Sequence, residues 1–419
     1  MADRNAIASQ VKTLVREGFD HEFGKPRVPQ QADAEWAKVR AAGTTLWLDT
    51  GDMDEATGLW TSEFEALTTN NTLLNKEVQK GLYDGLVGKA AATIRQAAPD
   101  IDPQELLLEV AFVLNAYHGL RLVEQFDAHV SVELHTDLAG DVERTLAYGK
   151  RYYDICPERF YVKVPLTPAG YLGARKLAAN GVPINFTLGF SARHNYVAAL
   201  LSQPDYVNVF LGRLNAFVSD NQLGDGKNIG EKATLATQRA LLDLRAAGRS
   251  HSRLIGASMR EGAQVATLAG LDVFTMPPKV AAEYRKHPVA EIRSEVDTDP
   301  AVTFARGVQL DDFNGATLWE VPEPFRKCVD ALLQEDLDHF SPNDLQTHFE
   351  QPGFGDFLPR WSEADLRTIT ADGKIPPYQR WKDQLSAGSL GLDALMNISG
   401  LCSFATDQQA FDDRVRSLL

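Results

Sequence analysis

The residue in this chain best placed to do chemistry is a lysine inside a strand-like run. Phe160-Tyr161-Val162-Lys163-Val164-Pro165 surrounds Lys163 with aromatic and β-branched residues, the composition of a buried strand. Burying an ammonium is costly unless it is paired, so burial favours the free amine. Such amines attack sugar carbonyls as nucleophiles. The alternative is a strand end whose lysine snorkels to solvent. Other polar residues stand where further strand-like runs finish: Asp49, Asn70, Glu133, Asn185, Thr187, Asn208, Arg213, Ser258 and Arg260. Singly, each has a structural alternative. Asp49 and Asn70 could cap helices, Thr187 could pack as a β-branched residue, and Arg213 could join a surface ion pair. A lysine, two acids, amides, hydroxyls and two arginines at strand ends must together satisfy one another or bind something.

These residues need a frame that turns their side chains toward one place. Strand-like segments recur at 44–50, 66–70, 129–134, 160–165, 183–188, 206–211, 253–258 and 271–276. Between them, 169–180 and 192–201 carry apolar residues at helical spacing, and Gly181 stands where a helix would stop. Strands alternating with helices imply parallel pairing through βαβ crossovers. Eight such units point to the α/β class and a (β/α)8 TIM-type barrel, whose chemistry belongs at the carboxyl ends of its strands. A doubly wound open sheet is the structural alternative. It usually announces a Gly-rich turn after the first strand, which Asp49-Thr50-Gly51-Asp52 is not. The expected organisation is a single barrel domain: one or two N-terminal helices in 1–43, the barrel in 44–290, and a mainly helical extension in 291–419 that includes a C-terminal helix. Ser341-Pro342-Asn343-Asp344 and Ser362-Glu363-Ala364-Asp365 read as capped helix starts.

Composition narrows the function classes. Among 419 residues, 44% are hydrophobic and 24% charged, as in ordinary globular proteins. A net charge of −15 without a basic run argues against nucleic acid as a partner. An acidic protein that binds anionic metabolites must concentrate a few arginines at the site. Cys156, Cys328 and Cys402 are odd in number and scattered, which suggests a reducing cytoplasm. From Met1-Ala2-Asp3-Arg4-Asn5 the chain runs into Ile7, Val11, Leu14 and Val15 at helical spacing, with no signal-peptide core. The apolar run 106–114 contains Glu109 and is too short for a membrane span.

The chain resembles the transaldolase family, class I aldolase-type enzymes of the pentose phosphate pathway. The resemblance rests on LDTGD (48–52), LTTNN (67–71), VSVEL (130–134), FYVKVP (160–165), GVPINFTLGFS (181–191), VFLGRL (209–214), LIGASMREG (254–262) and FATDQQAF (404–411), in the family's order. It implies a (β/α)8 barrel with Lys163 at the Schiff-base position. It implies further active-site positions at Asp49, Asn70, Glu133, Asn185 and Thr187, and phosphate-binding positions at Arg213, Arg260 and Ser258. On this resemblance Lys163 attacks a ketose C2 carbonyl. Glu133 then shuttles protons through a water held by Thr187, and Asp49 takes the C4 hydroxyl proton. Asn70 and Asn185 hold the three-carbon unit. Phenylalanine at the Phe210 position goes with transfer of that unit, tyrosine with its release.

Three departures stand out: Asn71 where proline is usual, Asn208 where serine is usual, and His135 where an acid is usual. The stretch from about 295 to 395 has no counterpart in the shorter common form of the family. The strand-end set lacks the carboxylate and histidine cluster of a metal-dependent aldolase, so neither metal nor other cofactor is expected. The expected partners are sugar phosphates, with no nucleic acid and no membrane, and the expected assembly is a monomer or homodimer. Two other readings stay open. One is a relative acting on another phosphorylated or sulfonated ketose; the other is a silent sugar-phosphate-binding protein.

Overall fold

Short runs of β-branched and aromatic residues, each broken by Gly, Pro or a capping residue, fold as eight parallel strands. The computed structural model describes residues 4–419, so Met1 to Asp3 of the amino-terminal reading lie outside the described residues. The strands are β1 (Thr45–Asp49), β2 (Phe64–Thr68), β3 (His129–Glu133), β4 (Phe160–Pro165), β5 (Ile184–Thr187), β6 (Tyr206–Phe210), β7 (Arg253–Ala257) and β8 (Val273–Met276). They close into a barrel in chain order, β8 pairing with β1. This is the (β/α)8 architecture the alternation implies. Strand ends differ from the sequence reading by one or two residues. The clearest case is β2, which stops at Thr68 because Asn70 is already the cap of the helix Asn71–Gln79.

Register decides which side chains face the barrel axis. Asp49 pairs with Thr68, Thr68 with Ser131, Glu133 with Lys163 and Lys163 with Asn185. Side chains alternate along each strand, so paired residues share a face. Two hydrogen bonds identify that face as the interior, because each skips a neighbouring strand. Asn185 Nδ2 donates to Ser131 Oγ at 2.9 Å, from β5 to β3, and Thr68 and Thr275 hydroxyls meet at 2.6 Å, from β2 to β8. Nearer the strand amino ends the interior is aromatic. Tyr161 stacks on Trp47 with centroids 5.7 Å apart and on His129 at 4.8 Å, and Tyr206 sits edge-on to Trp47 at 4.7 Å.

The surrounding helices are set by ordinary local signals. Thr167 caps Pro168–Ala179 and Ser191 caps Ala192–Leu201, each hydroxyl accepting a first-turn N–H. Gly181, at φ 72°, takes the left-handed turn that ends the first of these. The N-terminal region supplies two helices, Arg4–Arg16 and Ala34–Ala41. The helix Pro103–Phe126 corrects one expectation: with 24 residues it is long and apolar enough to cross a membrane, although 89% of its most apolar window is buried within the fold. Its Glu109 is tolerated there because Arg151 and Tyr148 hold it at 2.6 and 2.7 Å.

Beyond the barrel lie helices Glu323–Leu332, Pro342–Glu350, Glu363–Asp372, Tyr378–Ser386 and Leu392–Arg416. Ser341 and Ser362 start two of them with full capping boxes. Phe325, Phe349 and Phe357 pack as a small aromatic core within this extension. A buried guanidinium fastens it to the barrel. Arg193 makes two 2.7 Å bonds to Asp393 and reaches Asp356 at 2.8 Å, and Ser191 donates to Asp393 at 2.6 Å.

Candidate active site

At the carboxyl ends of the strands the interior opens into a cleft of about 300 Å³. Nine of the eleven expected residues line it: Asp49, Asn70, Lys163, Asn185, Asn208, Phe210, Arg213, Ser258 and Arg260. Glu133 and Thr187 are buried outside its lining.

Lys163 is 3% exposed. Its Nζ donates to the Thr69 carbonyl at 3.0 Å and lies 3.4 Å from Glu133 Oε2, so it does not snorkel to solvent. Burial pushes the Glu133 carboxyl above its usual range, against the pull of Lys163. Asp49 is raised for the same first reason, opposed by Lys163 and by the Thr68 hydroxyl that donates to it at 2.7 Å. Two carboxyls therefore face one amine from separate strands, each with a raised proton affinity. That suits acid–base work. Thr187 follows Asn185 by two residues on β5 and so shares its inward face. The Thr187 hydroxyl, like Glu133 Oε2, has no hydrogen-bond partner among the described residues.

The other end of the cleft is cationic. Arg213 is 7% exposed, yet its Nη1 has no hydrogen-bond partner among the described residues. Burial, with Arg260 nearby, pulls its guanidinium down to about 10. Its Cζ lies 5.5 Å from the Phe210 ring and 5.3 Å from that of Phe404, which comes from the C-terminal helix. Neither arginine has a carboxylate within ion-pairing distance among the described residues. Ser258 stands beside them at φ 63°, a left-handed conformation a serine adopts only when its surroundings impose it. Such a pair of desolvated guanidiniums is completed by an oxyanion.

The family model for transaldolase/fructose-6-phosphate aldolase matches residues 46–341. A transaldolase from Xanthomonas euvesicatoria pv. vesicatoria (strain 85-10) is 30% identical over 309 residues, covering 69% of this chain and 93% of its own length. A transaldolase from Nostoc punctiforme is 24% identical, over 62% of this chain and 79% of its own. A probable transaldolase from Nitrosopumilus maritimus is 27% identical, over 54% and 89%. This chain belongs to the transaldolase/fructose-6-phosphate aldolase family. It is an enzyme of that family.

Within that family frame the three departures acquire physical reasons. His135 Nε2 lies 3.2 Å from Asp412, which ties the loop after β3 to the C-terminal helix. Asn71 Nδ2 reaches the Leu134 carbonyl, an interaction proline could not make. The Asn208 side-chain oxygen accepts from the Gly189 N–H at 2.9 Å, which ties β6 to the loop after β5. Asn70 fills both roles weighed for it: its oxygen caps Leu73 N at 2.8 Å, and it lines the cleft.

Several site residues escaped sequence reading. Thr68, Ser131 and Thr275 orient Asp49 and Asn185, and the signal available was their place on the alternation of β2, β3 and β8. Lys76 and Lys374 also line the cleft. The first lies on a helix and the second far along the extension, and neither carries a local signal. Among the described residues no group of His, Cys, Asp and Glu could hold a metal ion.

Proposed function

We propose that this chain is a transaldolase that moves a three-carbon dihydroxyacetone unit through a Schiff base on Lys163. The donor is a ketose phosphate, fructose 6-phosphate or sedoheptulose 7-phosphate, and the acceptor an aldose phosphate. The reaction belongs to the pentose phosphate pathway, in the cytoplasm, with the enzyme a monomer or homodimer. One observation carries this reading: a buried amine, backed by a buried carboxyl, opens on one cleft with two arginines that have no carboxylate partners among the described residues.

The chemistry follows from those groups. The Lys163 amine adds to C2 of the ketose, and the carbinolamine loses its hydroxyl as water, protonated by Glu133. The iminium draws electrons from the C3–C4 bond while Asp49 accepts the C4 hydroxyl proton. The aldehyde half leaves, and the enamine remaining on Lys163 attacks the carbonyl carbon of the incoming aldose. Reprotonation and hydrolysis release the new ketose and return the amine. Asn70 and Asn185 hold the hydroxyls of the three-carbon unit. Arg213, Arg260 and Ser258 hold the phosphate and so set which carbon meets Lys163. Phe210 has no polar atom to orient a water, which favours transfer over release.

Borohydride reduction in the presence of fructose 6-phosphate tests the reading. A mass adduct on Lys163 is expected, absent from Lys163→Ala, whose turnover falls by several orders of magnitude while its circular dichroism is retained. Trapping that persists in Lys163→Ala would overturn the assignment. Asn208 in the cleft motivates a second reading, a different phosphorylated or sulfonated ketose. Trapping with such a sugar and not with fructose 6-phosphate selects it, and no trapping with any ketose selects a silent binder.

A further inference from the structure

The family match ends at residue 341, yet the cleft does not. Lys374 lines it from the turn between helices Glu363–Asp372 and Tyr378–Ser386. That turn is held firmly. Gly373 caps the helix at φ 78° and ψ −162°, a backbone conformation essentially confined to glycine. One asparagine then clamps the other side: Asn221 Nδ2 donates to the Pro376 carbonyl at 3.1 Å, and Asn221 Oδ1 accepts from Tyr378 N at 2.7 Å. Asn221 is the C-cap of the helix Leu211–Asp220, which carries Arg213 in its first turn. One helix therefore bears a phosphate-end arginine at its start and anchors the Lys374 turn at its finish.

The extension thus brings a charge of its own to the cleft. The protein carries a net charge of −15, yet Lys374 has no carboxylate within 4 Å among the described residues. The cleft it lines holds five cationic side chains, Lys76, Lys163, Arg213, Arg260 and Lys374, against one carboxylate, Asp49. Lys163 is paired with Glu133, and the excess of cations at one opening of an acidic molecule raises the local concentration of anions.

We infer that Lys374 is a specificity-determining residue, a third cationic contact supplied by the extension to the phosphate of the sugar substrate. This rests on the transaldolase reading above. Arg213 and Arg260 fix the phosphate from within the barrel, and Lys374 meets it from the extension as an exposed charge at the cleft. Its work is therefore in binding phosphorylated over unphosphorylated sugar, and the C–C chemistry at Lys163 does not depend on it.

Steady-state kinetics of Lys374→Ala, Lys374→Arg and the control Lys382→Ala test the proposal. Lys382 is exposed and outside the cleft. Lys374→Ala is expected to raise KM for fructose 6-phosphate on the order of tenfold, the equivalent of one charge-assisted contact. Its kcat and its imine trapping on unphosphorylated fructose should stay at the wild-type level. Lys374→Arg should restore KM, and Lys382→Ala should leave it unchanged. An unchanged KM in Lys374→Ala overturns the proposal, as does an equal loss with the unphosphorylated sugar. Calorimetric titration with inorganic phosphate separates the two readings. Weaker phosphate binding by Lys374→Ala supports the contact even where no ketose traps an imine on the wild type, a result that would overturn transaldolase activity alone. Equal phosphate affinity in the two proteins overturns the contact.

Discussion

A carboxyl held above its normal range carries a cost that its amide does not. Asp49 is half-buried at the base of the cleft, and desolvation there outweighs the attraction of Lys163, Thr68 and Arg260. Its folded pKa lies above the unfolded value, so the native state keeps the proton to higher pH than the unfolded chain. Stability therefore falls as pH rises through that interval, and the penalty is constant above it. Asp49→Asn keeps an acceptor for the Thr68 hydroxyl and removes the penalty. Its urea midpoint should exceed that of wild type at pH 8, with the gap closing toward pH 4. The same variant should still be trapped as an imine but fail to cleave the C3–C4 bond. A variant no more stable than wild type at pH 8, or one that loses trapping, would refute the role. Glu133→Gln should behave oppositely in chemistry, slowing imine formation itself, since Glu133 is the carboxyl beside the amine.

Between elements, the phosphate end depends on a backbone approach that leaves no room for a side chain. Gly212 opens the helix after β6, and a Cβ there would lie 2.1 Å from the Ser258 carbonyl and 2.9 Å from Arg260 Nε. A backbone oxygen cannot yield at that distance without moving the turn that carries both residues. Gly212→Ala should cost about 1–3 kcal/mol in stability and raise KM for the phosphorylated ketose more than it lowers kcat. Thermal melts and initial rates check both, and a variant with wild-type KM would show the contact to be slack.

Elements were also where the sequence was most and least legible. Phe160–Pro165 could be read to the residue, because an aromatic and β-branched run in a buried strand has few other uses. Asp49, Lys163, Asn185, Arg213 and Arg260 could be read as one site, because strand ends in a closed barrel converge. Thr68, Ser131 and Thr275 could not, since only register tells which hydroxyl faces the axis. Lys374 and Phe404 arrive through helix packing from the far end of the chain, and spacing along the sequence carries no trace of such contacts.

The molecule as a whole should be sensitive to acid through its buried imidazoles. His194 lies against the Arg193–Asp393 cluster that fastens the extension, and burial pulls it down to about 4. His118, bonded to the Tyr83 hydroxyl at 2.7 Å, is pulled down to about 3, again chiefly by burial. Both are depressed below the ordinary 6.5, so the unfolded chain takes up protons first as pH falls. Stability then drops between pH 6.5 and 4 by roughly 1.4 kcal/mol per pH unit for each group. Asp393 adds to the trend at lower pH: burial pushes it up, but Arg193, His194 and Ser191 together hold it below its usual value. Urea midpoints at pH 7, 6 and 5 should fall steeply for wild type and less steeply for His194→Gln. Equal slopes would remove His194 from the account.

Traffic through the barrel meets a closed floor among the described residues. The rings of Trp47, Tyr161, Tyr206 and His129 fill the interior below the polar layer, so nothing drains through the floor. Whatever enters over Lys163 must back out along the same route. A first product that still occupies the doorway bars the second reactant, and the two halves of the exchange are forced to take turns. An excess of either sugar then blocks the other by queueing at the same entrance. The order of events is thus imposed by a dead-end corridor, before any difference in affinity comes into play.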